Sequence, residues 1–261
     1  MRTAWSRHPA FAPYAAWLGD GAAPPRIEAL NALAGARALA LPDGRPLAFA
    51  EAGGGGALAY ERRVAEEGVV ATRPGSWHDA FNALAWLAFP RTKAALNAVH
   101  CRRGAQDTPN QRDRARDAAT LLDESGLVVA CEDATFAALL REHAWRELFV
   151  EREREVAHMV AVAIGHGLLD KLRRPFPAIT ARVLVLCAPG RLEELRDVAA
   201  LDAAAAHAVA APTLLPDVLL PLPVAALPGW DVDGRGSSRF DDRAVYRPRR
   251  ARAHAVREAT A

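Results

Sequence analysis

Trp77-His78-Asp79-Ala80-Phe81-Asn82-Ala83-Leu84-Ala85-Trp86-Leu87-Ala88-Phe89-Pro90, running on through Arg91-Thr92-Lys93-Ala94-Ala95-Leu96-Asn97-Ala98-Val99 to His100, is the stretch around which the chain is organised. At about 100° per residue, His78 and Asn82 share one helical stripe, with Asp79 beside it and Trp86 and Phe89 nearby. Phe81, Leu84, Leu87 and Ala88 cover the other faces. The spacing therefore predicts a helix that is apolar all round, and such a helix is buried. Its polar side chains then need partners inside the protein. Pro90 ends or kinks this helix and suits the first turn of a second one. There Lys93, Asn97 and His100 fall on one stripe. Two polar stripes on adjoining helices mark the best candidate for a shared site.

Upstream, Trp5, Phe11, Tyr14 and Trp17 anchor short helices over residues 1–35, and Ile27, Leu30 and Leu33 recur at helical spacing. Arg37–Leu41 and Pro46–Ala50 flank Pro42-Asp43-Gly44, which predicts a β-hairpin. Gly53–Gly56 lacks the Gly-Lys-Ser/Thr of a phosphate loop and reads as a connector. A short charged helix follows over Tyr60–Glu67.

Downstream, Ala118–Asp123 and Leu127–Cys131 flank Glu124-Ser125-Gly126, which predicts a second hairpin. Thr135–Leu140 and Trp145–Leu172 read as helices. Gly165-His166-Gly167 interrupts the longer one, where glycines imply close packing or a required backbone approach. Ile179–Leu186 is the clearest buried strand, and Arg191–Ala210 is an alanine-rich helix. From Pro212 on, the chain reads as an extended, proline-rich wrap with Leu227-Pro228-Gly229-Trp230 clamped over the core and a basic tail. The expected fold is α+β: mainly helical, with two β-hairpins and one buried strand forming a small mixed sheet. Three parts are expected: an N-terminal helical segment (1–35), a core α+β domain (36–211) and the C-terminal wrap (212–261).

The chain has 261 residues, half of them apolar and a quarter charged, with a net charge of +2. That is a soluble, globular composition. Near-neutral charge disfavours nucleic-acid binding driven by bulk charge, and the arginines at 112–116 are interleaved with acids. Prolines 212, 216, 221 and 223 break the apolar stretch 198–227, so no membrane span is expected. The N-terminus has no signal-peptide pattern. Cys101, Cys131 and Cys187 form no C-x-x-C pair, which fits a reducing, cytoplasmic compartment.

Several motifs together carry a family resemblance. They are Trp77-His78-Asp79 with Phe81-Asn82-Ala83-Leu84 and Trp86, Phe89-Pro90-Arg91-Thr92-Lys93 with Leu96-Asn97, and Leu122-Asp123-Glu124-Ser125-Gly126. Trp145-Arg146-Glu147-Leu148-Phe149, Gly165-His166 and Pro221-Leu222-Pro223 with Pro228-Gly229-Trp230 extend the set. Over roughly residues 30–250 the chain resembles the bacterial domain-of-unknown-function family 3025. The resemblance implies a bacterial protein with no established activity, and it carries over no catalytic residues.

The residues themselves leave the chemistry open. His78-Asp79 looks like the centre of an HD phosphohydrolase, but the only upstream histidine is His8, in the terminal segment. His78, Asp79, His100, Asp123, Glu124 and His166 are types that ligate divalent metals. No H-x-x-x-H or H-E-x-x-H spacing supports that, so a structural role is the simpler reading and any metal or other cofactor is unknown. His166 with Asp170 reads as a helix pair. Asp231–Gly236 departs from a calcium loop at Arg235 and reads as a turn.

The functional expectation is a small-molecule enzyme, a hydrolase by class, with a site between the helices carrying His78/Asp79/Asn82 and Lys93/Asn97/His100. Glu124 and His166 complete the candidate catalytic set. A buried network that fixes helix packing gives the same pattern and is held slightly ahead. The alternative is a non-enzymatic binding or scaffold protein that meets a partner through an exposed apolar patch at Leu227–Trp230. The ligand is accordingly an unknown small molecule or protein.

Overall fold

The computed structural model describes residues 3–54, 56–104, 114–231, 234 and 236–249, without the side chains of 102–104. After short 3-10 turns at Trp5–Arg7 and Pro9–Tyr14, the elements are α1 (Ile27–Ala36), β1 (Ala48–Ala50), α2 (Ala57–Glu67), β2 (Val69–Ala71), α3 (Trp77–Ala88) and α4 (Pro90–Gly104). They continue as α5 (Arg114–Ser125), β3 (Gly126–Cys131), α6 (Thr135–Glu142), α7 (Glu153–His158), β4 (Val160–Ala163), α8 (His166–Leu172), β5 (Thr180–Cys187), α9 (Val198–Ala210) and β6 (Leu220–Pro223). The architecture is mixed α+β and mainly helical, with two small sheets.

The larger sheet has the order β4-β3-β5-β6. β3 runs parallel to β5, while β4 and β6 are antiparallel to their neighbours. All six residues of β3 are buried, so both faces of the sheet are covered at its centre. Gly-Leu-Val-Val-Ala-Cys is the unbroken apolar run such a strand requires.

α3 is the buried helix that its composition demands: Trp77 and every residue from Asp79 to Ala88 are buried. Ser76 caps it, its hydroxyl accepting from Asp79 N at 3.2 Å. The N-terminal turns lock onto its start, with Trp5 5.0 Å from Trp77 and Phe11 5.5 Å from Phe81 between ring centroids. Fully burying a side chain such as Phe81 contributes about 2–3 kcal/mol. α4 begins at Pro90, directly after Phe89. Its first amide groups are satisfied from α9: the buried Asp202 carboxylate accepts from Arg91 N at 2.9 Å and Thr92 N at 2.8 Å.

The hairpin expectations need correction. At the first, only the tip forms: Ala40 bridges Pro46, and Leu47 N donates to Leu39 O. Leu41 N donates to Arg45 O on the other side of that bridge, and the pairing goes no further than Leu39 and Leu47. The next residues pair elsewhere, β1 lying parallel to β2, while the Asn31 side chain donates to and accepts from Phe49 backbone on its other side.

At the second, the leading arm is helical. α5 runs straight into β3 at Gly126, with Ala118, Ala119 and Leu122 forming its buried face. Glu124 and Ser125 finish a helix rather than turn a hairpin. The expected helix Trp145–Leu172 is likewise four pieces: a π-helical segment at Glu147–Glu151, then α7, then β4, then α8. Val160-Ala-Val-Ala pairs with β3 from Ala130 to Leu127. A short apolar run fits a helix or a strand by period alone, and pairing to a buried strand decides it here. Ile179–Leu186 does form the expected strand, as β5.

Candidate functional site

Five helices deliver polar side chains to one neighbourhood beside β3. At its rim stand His78 of α3, Glu124 of α5 and His166 of α8. His166 Nε2 lies 3.4 Å and His78 Nε2 3.9 Å from Glu124 Oε1. The two imidazole rings meet edge to face, their centroids 4.5 Å apart. One donor atom from each of the three residues lies within 4.8 Å of the others.

Access is graded. The His78 and Glu124 side chains are 38% and 47% exposed, whereas His166 is 9% exposed. The glycines flanking His166 set this approach. A Cβ on Gly165 would fall 2.3 Å from Gly126 N, and one on Gly167 would fall 2.4 Å from Glu124 Oε2. Only hydrogen at both positions lets the start of α8 press against the end of α5.

Behind the rim lies a buried floor. Asp123 accepts a hydrogen bond from Lys93 Nζ and lies 3.8 Å from His166 Nδ1. Burial works against its charge, but Lys93 and then His166 outweigh that and hold its carboxyl below the usual range. Lys93, 5% exposed, also sits 5.7 Å from the centroid of the Trp86 ring.

One turn on, Asn97 Nδ2 donates to Glu61 O at 2.8 Å and to Glu61 Oε2 at 2.6 Å. Burial pushes Glu61 up to about 7, against the pull of that hydrogen bond. Asn82 Nδ2 donates to the Tyr60 hydroxyl at 2.8 Å. His100 is half-buried, within electrostatic reach of Asp123 and Lys93, and burial lowers its pKa. At the rim, the hydrogen bond with His166 lowers the pKa of Glu124.

Among the described residues, two buried polar atoms in this neighbourhood complete no hydrogen bond: His166 Nδ1 and Asn82 Oδ1. A network evolved only to hold helices together pairs such groups.

Of the sequence candidates, His78, Asn82, Lys93, Asn97, His100, Glu124 and His166 are gathered here. Asp79 is not. It points the other way and accepts from Arg73 N, Nε and Nη2 at 2.8–2.9 Å and from the Ser76 hydroxyl. Burial opposes its charge, and the Arg73 hydrogen bonds override it to lower the pKa. Asp79 braces the start of the helix, holding Arg73 and the capping Ser76 hydroxyl. Ser76 three positions before an acid is the pattern of a capping box, and that was the available signal.

His166 does not pair with Asp170, which binds Arg173 instead. Tyr60 and Glu61 are the participants the sequence reading missed. Both lie one helical turn from the buried Val64, on the inner face of α2.

Other expectations are settled by position. Leu227 and Trp230 are buried, Trp230 packing on His8, so that segment presents no apolar patch. Arg114 pairs with Asp217. Residues 112, 113, 232, 233, 235 and 250–252 lie outside the described residues. Two surface cavities lie away from the polar centre, one lined by Cys131, Phe136, Leu148 and Met159, the other by Leu39, Leu87 and Pro90. Among the described residues no helix is long and apolar enough to cross a membrane.

Fold and site together define a helix-rich α+β protein with a histidine–carboxylate centre backed by a buried lysine. The family described as "Protein of unknown function (DUF3025)" matches residues 48–250, and the chain belongs to it. No curated protein and no solved structure matches the chain.

Proposed function

We propose that this protein is an enzyme acting on a small polar molecule, by class a hydrolase, in the cytoplasm of a bacterial cell. The observation that carries the reading is the graded polar centre. Its rim is open to solvent at His78 and Glu124, its floor is buried, and His166 Nδ1 and Asn82 Oδ1 there lack partners. Unsatisfied buried polar atoms cost about 1–3 kcal/mol each, a cost that fold stability alone does not explain.

The roles follow from chemistry. Lys93 is a fixed cation at the floor and stabilises negative charge developing on a substrate. Glu61, near neutrality, takes or returns a proton at operating pH. His78 stands where water and substrate enter, and Asn82 Oδ1 is a free acceptor that orients a substrate donor. All three cysteines are free, including Cys131 and Cys187 paired in register on β3 and β5, which supports the reducing compartment.

The test is turnover of a panel of aryl esters, aryl phosphates and anilides in metal-supplemented buffer, comparing the wild type with His78→Ala and Lys93→Met. Hydrolysis of one class is expected, reduced at least a hundredfold in both variants. Turnover that persists in both, or that no class supports, overturns the reading.

A further inference from the structure

We propose that His78 Nε2, His166 Nε2 and Glu124 Oε1 form a divalent transition-metal site, zinc being the leading ion. The inference rests on the enzymatic reading above and deepens it by naming the cofactor class.

The donor set is two neutral imidazoles and one carboxylate, which suits zinc, iron(II) or manganese and leaves positions open for water or substrate. The spacing fits. Ligands at about 2.1 Å around a tetrahedral ion stand roughly 3.4 Å apart. His166 Nε2 and Glu124 Oε1 are already 3.4 Å apart, and His78 Nε2 is 3.9 Å from the same oxygen. A small inward rotation of the half-exposed His78 closes the triangle.

The surroundings point the same way. His166 is nine-tenths buried, and its Nδ1 has no hydrogen-bond partner among the described residues. That nitrogen lies 3.8 Å from Asp123 Oδ2, and Lys93 holds Asp123 in place. A metal on Nε2 fixes the proton on Nδ1 and directs it at Asp123. This is the carboxylate–histidine–metal arrangement that orients a ligand and raises its basicity.

The three ligands come from three different helices. Gly165 and Gly167 permit the close approach that brings two of them together. In such a site the ion lowers the pKa of bound water, the nucleophile that a hydrolase requires.

The rival occupant is a proton. An imidazolium at His166, between Asp123 and Glu124, satisfies the same charges without metal. The experiment separates the two. Chelator-stripped full-length protein is titrated with Zn²⁺, Mn²⁺ or Co²⁺, followed by calorimetry, thermal melting and the visible absorption of bound Co²⁺.

One ion per chain is expected, with a rise in melting temperature. Affinity should fall at least tenfold in His78→Ala and in Glu124→Gln, and tenfold or more in Asp123→Asn. It should be unchanged in His143→Ala, whose ring packs on Trp145 and pairs with the Arg247 carbonyl rather than with any residue of the centre. His78 is half-exposed, so its variant keeps the fold and the test intact even where a His166 variant does not. Substoichiometric binding, or binding unaltered in His78→Ala and Glu124→Gln, overturns the metal site and leaves the imidazolium. Because the readout is binding, a failure to bind metal alongside hydrolysis that persists in the stripped protein sinks this inference alone. Metal bound as expected, with no hydrolysis in the substrate panel, sinks the enzymatic reading alone.

Discussion

Gly167 lies so close to Glu124 that a methyl group on its Cα would sit 2.4 Å from Oε2 and 2.9 Å from the backbone carbonyl of that residue. The sequence pair Gly165–Gly167 is therefore a spacing device, and it sets how near His166 comes to its carboxylate.

The device makes a graded prediction. In Gly167→Ala the nearest atom is the end of a side chain, which can swing away, but the Glu124 carbonyl at 2.9 Å must also give, so the cost is about 2 kcal/mol and Glu124 leaves His166. In Gly165→Ala the new atom meets the Gly126 amide and the Glu124 carbonyl, which are backbone, and the loss is about 3 kcal/mol or more. Gly35 in α1 has open space around it, and Gly35→Ala should stabilise by up to about 1 kcal/mol. Urea denaturation of the three variants checks the order. Equal losses at 165 and 35 would refute the close-approach account.

Much of this was legible in the chain, and the failures have physical causes. α3 and α4 followed from apolar coverage and Pro90. β5 followed from the apolar run Val183–Leu186 and the Pro189-Gly190 that ends it. His78, Asn82, Lys93 and Asn97 were visible as stripes on those helices. The α5–β3 junction was not, because Glu124-Ser125-Gly126 has turn chemistry whether it turns or ends a helix. β4 was hidden because Val160-Ala-Val-Ala has no partner until β3 is placed. Asp79 was misassigned because adjacency to His78 in sequence is about 100° of separation on a helix. Glu61 was missed because a charged residue on a short charged helix looks solvated until Val64 fixes the buried face.

Glu61 links that floor to pH. Asn97 bonds it directly, while Asp123, Lys93 and His166 act on it through space. Its folded pKa, about 7, lies above the ordinary 4.5, so the folded state holds the proton more tightly. Its contribution to stability is therefore full below about pH 4.5 and is lost as pH rises through 7. Glu61→Gln keeps an acceptor for Asn97 and removes the titration. The variant should be more stable than the wild type at pH 8, by about 3 kcal/mol at most, with a flatter profile between pH 5 and 8. Parallel stability–pH curves for the two proteins would show that Glu61 ionises without cost.

Asp202 is another buried carboxylate with a defined task. It reaches from α9 to accept two amide groups at the start of α4, and its own carbonyl accepts from the Thr92 hydroxyl. Asp202→Ala strands both amides in the interior and should cost about 2–4 kcal/mol. Asp202→Asn retains one acceptor oxygen and should cost roughly half as much. Because α4 carries Lys93 and Asn97, the alanine variant should also lose metal affinity near the midpoint of its unfolding, not before. Chemical denaturation with parallel zinc titration reads both quantities.

His78 and Asp79 are neighbours with separate employment, and they can be told apart. Asp79 binds Arg73 and Ser76 at the helix start, so Asp79→Ala should cost about 1–2 kcal/mol of stability. Its folded pKa is depressed, so that contribution is present at neutral pH and is lost as the pH falls below the ordinary 3.8 through the folded value. The variant and the wild type should thus converge in stability in acid, while zinc affinity at pH 7 stays within twofold. His78→Ala should do the reverse: its side chain is 38% exposed and caps nothing, so stability changes little while zinc affinity drops at least tenfold. If Asp79→Ala abolished binding with the fold intact, the two residues would belong to one centre after all, and the division of labour at the start of α3 would be wrong.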